Sequence, residues 1–269
     1  MIKQKIIKLR KEGFSIREIC KKLNTSYGTT QRTCSAIKMP NNGLKRYSKL
    51  NGLTRNILFK DSLNEIKVRI ISNLLFDGAV YVDKYYHYSI MYVNSSKKLI
   101  SQFIHDMKKI YNVMPSSIEN HPTYQRVKYL SKYIYDDLFK YLISFSTSDV
   151  NCEIPHIILN GKKSFKQIIL QALWENEGSV SYEGRLVTGV KSLKVITQLS
   201  KLHNEFGLKH SMKCRNDGMC YIYLFTTKEN YKKFIDLELF LRSRITKGHN
   251  KGKEKIDALK EHFNKKFCL

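Results

Sequence analysis

Ile70-Ile-Ser-Asn-Leu-Leu-Phe-Asp77-Gly78 and Leu170-Gln-Ala-Leu-Trp-Glu-Asn-Glu177-Gly178 follow one plan: an apolar, helix-like lead, then an acid, then glycine. The two acids stand 100 residues apart. Strand-like alternation follows each run, so Gly78 and Gly178 read as helix C-terminal glycines that supply a left-handed turn. A carboxylate in the last turn of a helix meets the negative end of the macrodipole, a placement disfavoured by about 0.3–1 kcal/mol. Its repetition points to a cation. If the two helices pack side by side and parallel, their ends bring Asp77 and Glu177 together. Two close carboxylates without a basic partner favour a hard divalent ion, Mg2+ or Mn2+.

Working outward, the chain from residue 61 reads as an internal repeat in which helix, strand, strand, helix, strand, helix occurs twice. At an offset of 96, Ser96, Leu99, Ile100, Gln102 and Phe103 fall on Ser192, Val195, Ile196, Gln198 and Leu199, which puts an amphipathic helix after each strand pair in register. Residues 124–131 and 219–226 read as later strands, and helices over 132–142 and 228–240 close the copies. The repeats span 61–150 and 164–269. After each acid-glycine pair, alternation sends Val80, Val82, Val180 and Tyr182 inward. Ala79, Tyr81, Asp83 and Tyr85, with Ser179, Ser181, Glu183 and Arg185, face outward.

The first 40 residues differ. Ile2, Ile6, Ile7 and Leu9 have helical spacing, and Gly13 ends the run. Ser15 and Glu18 form a capping box ahead of Ile16, Ile19, Cys20 and Leu23. Asn24 makes a turn, Thr25 or Ser26 caps a third helix reaching about Lys38, and Met39-Pro40 stops it. This spacing resembles the DNA-binding helix-turn-helix of resolvases and small repressors. The resemblance implies a domain over 1–40 that presents Ser26, Tyr27, Gln31 and Arg32 to the major groove. Residues 41–60 mix turn formers with lysine and arginine and read as a basic linker.

Bulk composition agrees with a nucleic-acid partner. The net charge is +25, from 48 basic and 23 acidic residues. It is uneven: residues 1–60 hold 15 basic and 2 acidic groups. Such an excess concentrates polyanions such as double-stranded DNA. No apolar run approaches the roughly 20 residues that span a bilayer, so no membrane partner is expected, and the charged start argues against a secretory signal. A cytoplasmic location and reduced thiols are therefore expected for the six cysteines. The spacing of Cys214 and Cys220 with His203 and His210 fits no standard zinc pattern.

The double motif resembles the LAGLIDADG homing endonucleases of the single-chain type, over about 200 residues. Leu170-Gln-Ala-Leu-Trp-Glu-Asn-Glu-Gly is the better match, with its small Ala172 and its acid-glycine ending. The first motif has Ser72 in the small position, Leu75 where an acid is common, and a bulky Phe76 that is expected to point outward or spread the helix ends. The resemblance implies an α+β fold: two pseudo-symmetric αββαβ(β)α repeats forming a saddle-shaped antiparallel sheet, beside a small all-α helix-turn-helix domain. It further implies a site-specific double-strand endonuclease in which Asp77 and Glu177 each hold metal against a scissile phosphate. A central lysine tunes the attacking water in such proteins, with Lys247 and Lys251 as candidates. The outer sheet face would lie along the major groove, with Tyr81, Tyr85, Arg126, Lys128, Arg185, Lys213, Arg215, Tyr221 and Tyr223 touching DNA. With both repeats in one chain, a monomer is expected. The alternatives are a non-cutting DNA-binding regulator on the same scaffold and an RNA-binding helper of intron splicing.

Overall fold

The computed structural model describes residues 2–35, 37, 63–83, 87–181, 183–246 and 251–267. The proposed linker, Tyr85, the side chain of Tyr182 and Lys247 lie outside them. The chain divides into two compact units, Met1–Leu58 and Phe59–Leu269.

The first unit has three described helices, α1 (Ile2–Lys11), α2 (Ile16–Leu23) and α3 (Tyr27–Cys34). The capping box forms as read: Ser15 N–H donates to Glu18 Oε2 at 2.8 Å and Glu18 N–H to Ser15 Oγ at 3.2 Å. Asn24 takes the left-handed conformation (φ 50°) that joins α2 to α3, and Ser26 is the cap of α3, accepting from Thr29 N–H. The third helix is shorter than expected, ending at Cys34. Ile6, Ile19 and Cys34 are buried at the centre, with Leu9, Phe14, Ile16 and Leu23 packed around them.

The second unit contains the repeat. Its copies run α4 (Glu65–Asp77), β1 (Gly78–Val82), β2 (Tyr88–Asn94), α5 (Lys97–Tyr111), β3 (Ser117–Asn120), β4 (Gln125–Leu130), α6 (Lys132–Leu138), then, after the short α7 (His156–Leu159), α8 (Lys163–Glu177), β5 (Ser179–Val180), β6 (Leu186–Val190), α9 (Leu193–Glu205), β7 (His210–Cys214), β8 (Cys220–Leu224) and α10 (Lys228–Asp236). A last helix, α11 (Lys255–Phe267), follows. Each copy makes a four-stranded antiparallel sheet, in the orders β1-β2-β4-β3 and β5-β6-β8-β7. The edge strands β3 and β7, which the sequence reading left unassigned, complete the sheets.

The buried face of each sheet carries helices. In the first copy Phe103 of α5 packs on Tyr92 and Tyr129, with ring centroids 4.6 and 6.2 Å away. In the second, Trp174 is the centre, edge-on to Phe234 at 4.9 Å and Phe240 at 5.9 Å. Its indole N–H donates to His203 Nε2 at 3.0 Å, which leaves His203 Nδ1 to donate to Leu199 O at 2.7 Å. Burial lowers the His203 pKa to about 4, so the ring is neutral. The first copy instead buries an ion pair, Lys67–Asp137 at 2.6 Å, that also takes the Tyr111 hydroxyl at 2.8 Å. At the matching place in the second copy Gln167 donates to Leu237 O at 3.1 Å. The long helices α4 and α8 pack on each other between the two sheets, and Asn176 reaches from α8 to donate to Asn73 Oδ1 of α4 at 3.0 Å.

Four readings need correction. Gly78 (φ −114°) and Gly178 (φ −75°) leave their helices in extended, not left-handed, conformation. Glycine is required there by crowding: a Cβ on Gly78 would lie 2.4 Å from Leu74 Cα, and one on Gly178 2.4 Å from Trp174 O. Phe76 is neither outward nor wedged at the ends, but buried in a recess with Leu75, Val80, Phe139 and Phe145 of its own repeat. Val82, expected inside, is 39% exposed because β1 ends there. Cys214 and Cys220 are not reduced thiols: as direct cross-strand partners on β7 and β8 they form a disulfide. That bond and the two occupied nitrogens of His203 remove the zinc arrangement. Cys34 and Cys152 are buried, as apolar fillers are.

Candidate functional site

The helix pair α4 and α8 ends at one cleft of about 370 Å3 whose lining includes Asp77, Asn94, Glu175, Asn176, Glu177 and Lys255. Burial raises both terminal carboxyls. Asp77 is pushed up to about 6, against the opposing pull of the Asn94 hydrogen bond and the Lys255 charge. Glu177 is pushed to about 7 by burial and by the charge of Asp77, again opposed by Lys255. The two acids are therefore near enough to repel, which is the electrostatic condition that favours a cation between them.

Asp77 is held and Glu177 is freer. Asn94 Nδ2 donates to Asp77 Oδ2 at 2.8 Å and to Asn176 Oδ1 at 3.1 Å, while the Tyr92 hydroxyl donates to Asn176 Oδ1 at 2.7 Å. The two bonds to Asn176 cross between the repeats, while that to Asp77 stays within the first. The bond from Asn94 holds the Asp77 carboxylate through Oδ2, and Oδ1 has no hydrogen-bond partner among the described residues.

The expectation that the acids lack a basic partner is wrong. Lys255, the first residue of α11, is 8% exposed and bears on both acids. Burial lowers its pKa to about 8, in spite of the neighbouring charges of Glu175, Asp77 and Glu177. Its Nζ donates to Glu175 O at 3.1 Å and sits 5.2 Å from the Phe240 ring centre. A signal for it exists in the sequence: Lys255, Ala258 and Leu259 share one helical face, and all three are buried. Of the lysines first considered, Lys251 is exposed.

Glu175 is a third carboxylate in the cleft but is already engaged. Its Oε1 accepts from the backbone N–H of Leu241 and Arg242, both at 2.7 Å, and its Oε2 from Ser243 N–H at 2.9 Å. Those bonds hold the segment that carries Arg244 and runs antiparallel to residues 251–255, joined by Lys255 N–H to Ser243 O at 3.0 Å. In the first repeat Leu75 stands in this position and packs apolar surface instead. The free oxygens of Asp77 and Glu177 are hard donors suited to Mg2+ or Mn2+, whereas those of Glu175 are taken.

The remaining candidate residues occupy other surfaces. On the first sheet's outer face, register aligns Ala79, Met91, Lys128 and Ser117 in one row and Val93, Arg126 and Glu119 in another, with Tyr81 beyond. Arg126 pairs with Glu119 at 3.1 Å. On the second, Ser179, Val187, Tyr223 and Ser211 form one row and Gly189, Tyr221 and Lys213 the next. The Tyr221 ring lies where a Cβ on Gly189 would be, 2.7 Å away, and Arg215 covers that ring with its guanidinium 4.5 Å from the centre. Arg185 pairs with Glu183 at 2.9 Å and is largely exposed. In the first unit Tyr27, Gln31 and Arg32 are exposed on α3, while the Ser26 hydroxyl is committed to its cap. Sequence reading missed Asn94, Asn176 and Lys255: pairing of distant segments brings Asn94 and Lys255 to the acids, and Asn176, although next to Glu177 in the chain, takes its place through bonds to Asn94 and Tyr92 of the other repeat.

No family model and no curated protein matches the sequence. Solved structures do. A structure of mesophilic variants of the homing endonuclease I-DmoI aligns with 64% of this chain and 94% of its own, at a TM-score of 0.50 and 16% identity. I-DmoI in complex with DNA and Mn aligns with 65% of this chain and 96% of its own, at a TM-score of 0.50 and 15% identity. The two-sheet, two-helix architecture is thus the fold of the single-chain LAGLIDADG homing endonucleases. Among the described residues no helix is long and apolar enough to cross a membrane.

Proposed function

We propose that this chain, built on the LAGLIDADG fold, is a site-specific DNA endonuclease that hydrolyses phosphodiester bonds on both strands of a duplex. The observation that carries this reading is the meeting of Asp77 and Glu177, one from each repeat, in a cleft that raises both carboxyls. A purely structural saddle has no use for two half-buried acids that repel each other.

Asp77 and Glu177 would hold the divalent ion. When bound, such an ion lowers the pKa of water and stabilises a leaving oxygen. Lys255 Nζ supplies positive charge beside both acids, and its lowered pKa suits it to exchanging a proton with solvent near neutral pH. Asn94 and Asn176 keep Asp77 oriented. The outer rows of both sheets, through Lys128, Arg126, Lys213, Arg215, Tyr221 and Tyr223, would follow the duplex, and the three-helix unit would add a second footprint through Tyr27, Gln31 and Arg32. One chain spans both half-sites, so it would act as a monomer.

The test is incubation with a randomised duplex library and Mg2+ or Mn2+, followed by sequencing of new ends. Wild type is expected to release discrete ends, while Asp77→Asn and Glu177→Gln bind the same sites uncut. Protection of a discrete duplex without cleavage by wild type would hand the chain to the regulator reading. Preference for structured RNA over duplex DNA would favour the splicing-helper reading.

A further inference from the structure

Helix α5 carries a basic stripe on the side away from its sheet. Lys97, Ser101, His105 and Lys109 recur every four residues and are exposed, with Lys98 and Lys108 beside them. Twelve residues of helix extend about 18 Å. Arg242, from the second repeat, joins Lys97, Lys98 and His105 around a shallow groove of about 480 Å3. One carboxylate reaches this surface, Glu254 at Lys98, 2.5 Å away. Asp106 is buried and accepts two bonds from Arg69, at 2.7 and 2.9 Å. Lys97, Lys108 and Lys109 have no carboxylate partner among the described residues.

The other repeat serves as an internal control. At the same places on α9 it has Leu193 for Lys97, Asn204 for Lys108 and Glu205 for Lys109. Its Lys194 pairs with Glu153, and Glu205 pairs with Lys166 at 2.6 Å. Exposed Lys201 of α9 stands where α5 has His105, so α9 carries two lysines to the four of α5, whereas a chain-wide lysine bias would load both helices alike. Phe103 of α5 rests on the buried side of the sheet, against Tyr92 and Tyr129, so the stripe faces opposite to Arg126 and Lys128.

We propose that this stripe is a second binding surface for the phosphate backbone of duplex DNA, so that one chain holds two DNA segments on opposite sides. Charge complementarity identifies the partner. An 18 Å stripe faces about five phosphates of one strand. Among the described residues no Phe, Tyr or Trp ring lines the groove to stack unpaired bases, which favours duplex over single strands. The surface lies outside the Asp77–Glu177 cleft and does not depend on cleavage.

Reductive methylation of lysines in the full chain, read by mass spectrometry at increasing duplex, tests it at low salt. Lys97, Lys108 and Lys109 are expected to lose at least fivefold of their reactivity by two duplexes per chain. The Lys97→Gln/Lys108→Gln/Lys109→Gln variant is expected to bind the second duplex at least tenfold more weakly, with the first affinity changed less than twofold. Full reactivity of these lysines at two duplexes, unchanged second binding in the variant, or stronger protection by single-stranded RNA at equal phosphate would each overturn the proposal. Protection of the α5 lysines without protection of Lys128 and Lys213 would support it while removing the outer sheet face from the proposed function.

Discussion

At the scale of residues, the cleft acids and His203 impose opposite pH dependences on folding. Asp77 and Glu177 have folded pKa values near 6 and 7, above the ordinary carboxylate range. The stability they contribute is full below about pH 4 and is lost as pH rises through 6 to 7. The Asp77→Asn/Glu177→Gln double variant should therefore melt higher than wild type at pH 8 in a chelator, and the gap should close by pH 4.5. Adding Mg2+ at pH 8 should raise the wild-type melting temperature and leave the double variant unmoved. His203 is the reverse case, with a folded pKa near 4, below the ordinary 6.5. Its contribution is present above pH 6.5 and lost as pH falls toward 4, by up to about 3 kcal/mol. His203→Gln keeps an acceptor for the Trp174 N–H and should flatten that acid limb in a melting series. Asp77 and Glu177 were legible because each repeats a local pattern that opposes its helix dipole. Asn94 and Asn176 were not, since nothing within a few residues of either says which strand or helix it will meet.

At the scale of elements, the close packing of helix ends against the following strands sets the tolerance of the motif. Gly178→Ala puts a methyl group against Trp174 O and should cost ~2 kcal/mol by overpacking, read as a lower denaturation midpoint at unchanged slope. Glu175→Gln weakens a charge-assisted clamp on three amides. Here the expected outcome is a loss of ~2 kcal/mol, with cleavage falling further than DNA binding because Lys255 loses the neighbouring Glu175 charge that favours its protonated form. The α5 and α9 faces and the capping box were readable, since 3.6-residue periodicity and cap chemistry are local. The left-handed reading of Gly78 and Gly178 failed because sequence shows that a glycine is needed without showing whether φ or space demands it. The edge strands β3 and β7 escaped for a related reason: they are short and largely exposed, so no alternation marks them.

At the scale of the whole molecule, charge governs behaviour. With +25 to distribute, DNA affinity should fall steeply with salt, the logarithmic slope shrinking by about 0.9 for each phosphate-contacting lysine or arginine removed. Substituting Arg32→Ala in the three-helix unit should weaken binding by about 1–3 kcal/mol if it reads a base, while leaving the cleavage position unchanged. The repeated architecture was visible in the sequence as an offset. The disulfide was not, because the apparent compartment argued against it and only pairing of β7 with β8 places the two sulfurs together. The polar bridge from Asn176 to Asn73, Asn94 and Tyr92 has a final consequence. Its two ends differ, so α4 has no matching partner in a second α4, nor α8 in a second α8. The halves have become a left and a right hand that fit only each other, and a gene cut between them would yield two polypeptides obliged to find one another, neither able to rebuild the centre from copies of itself.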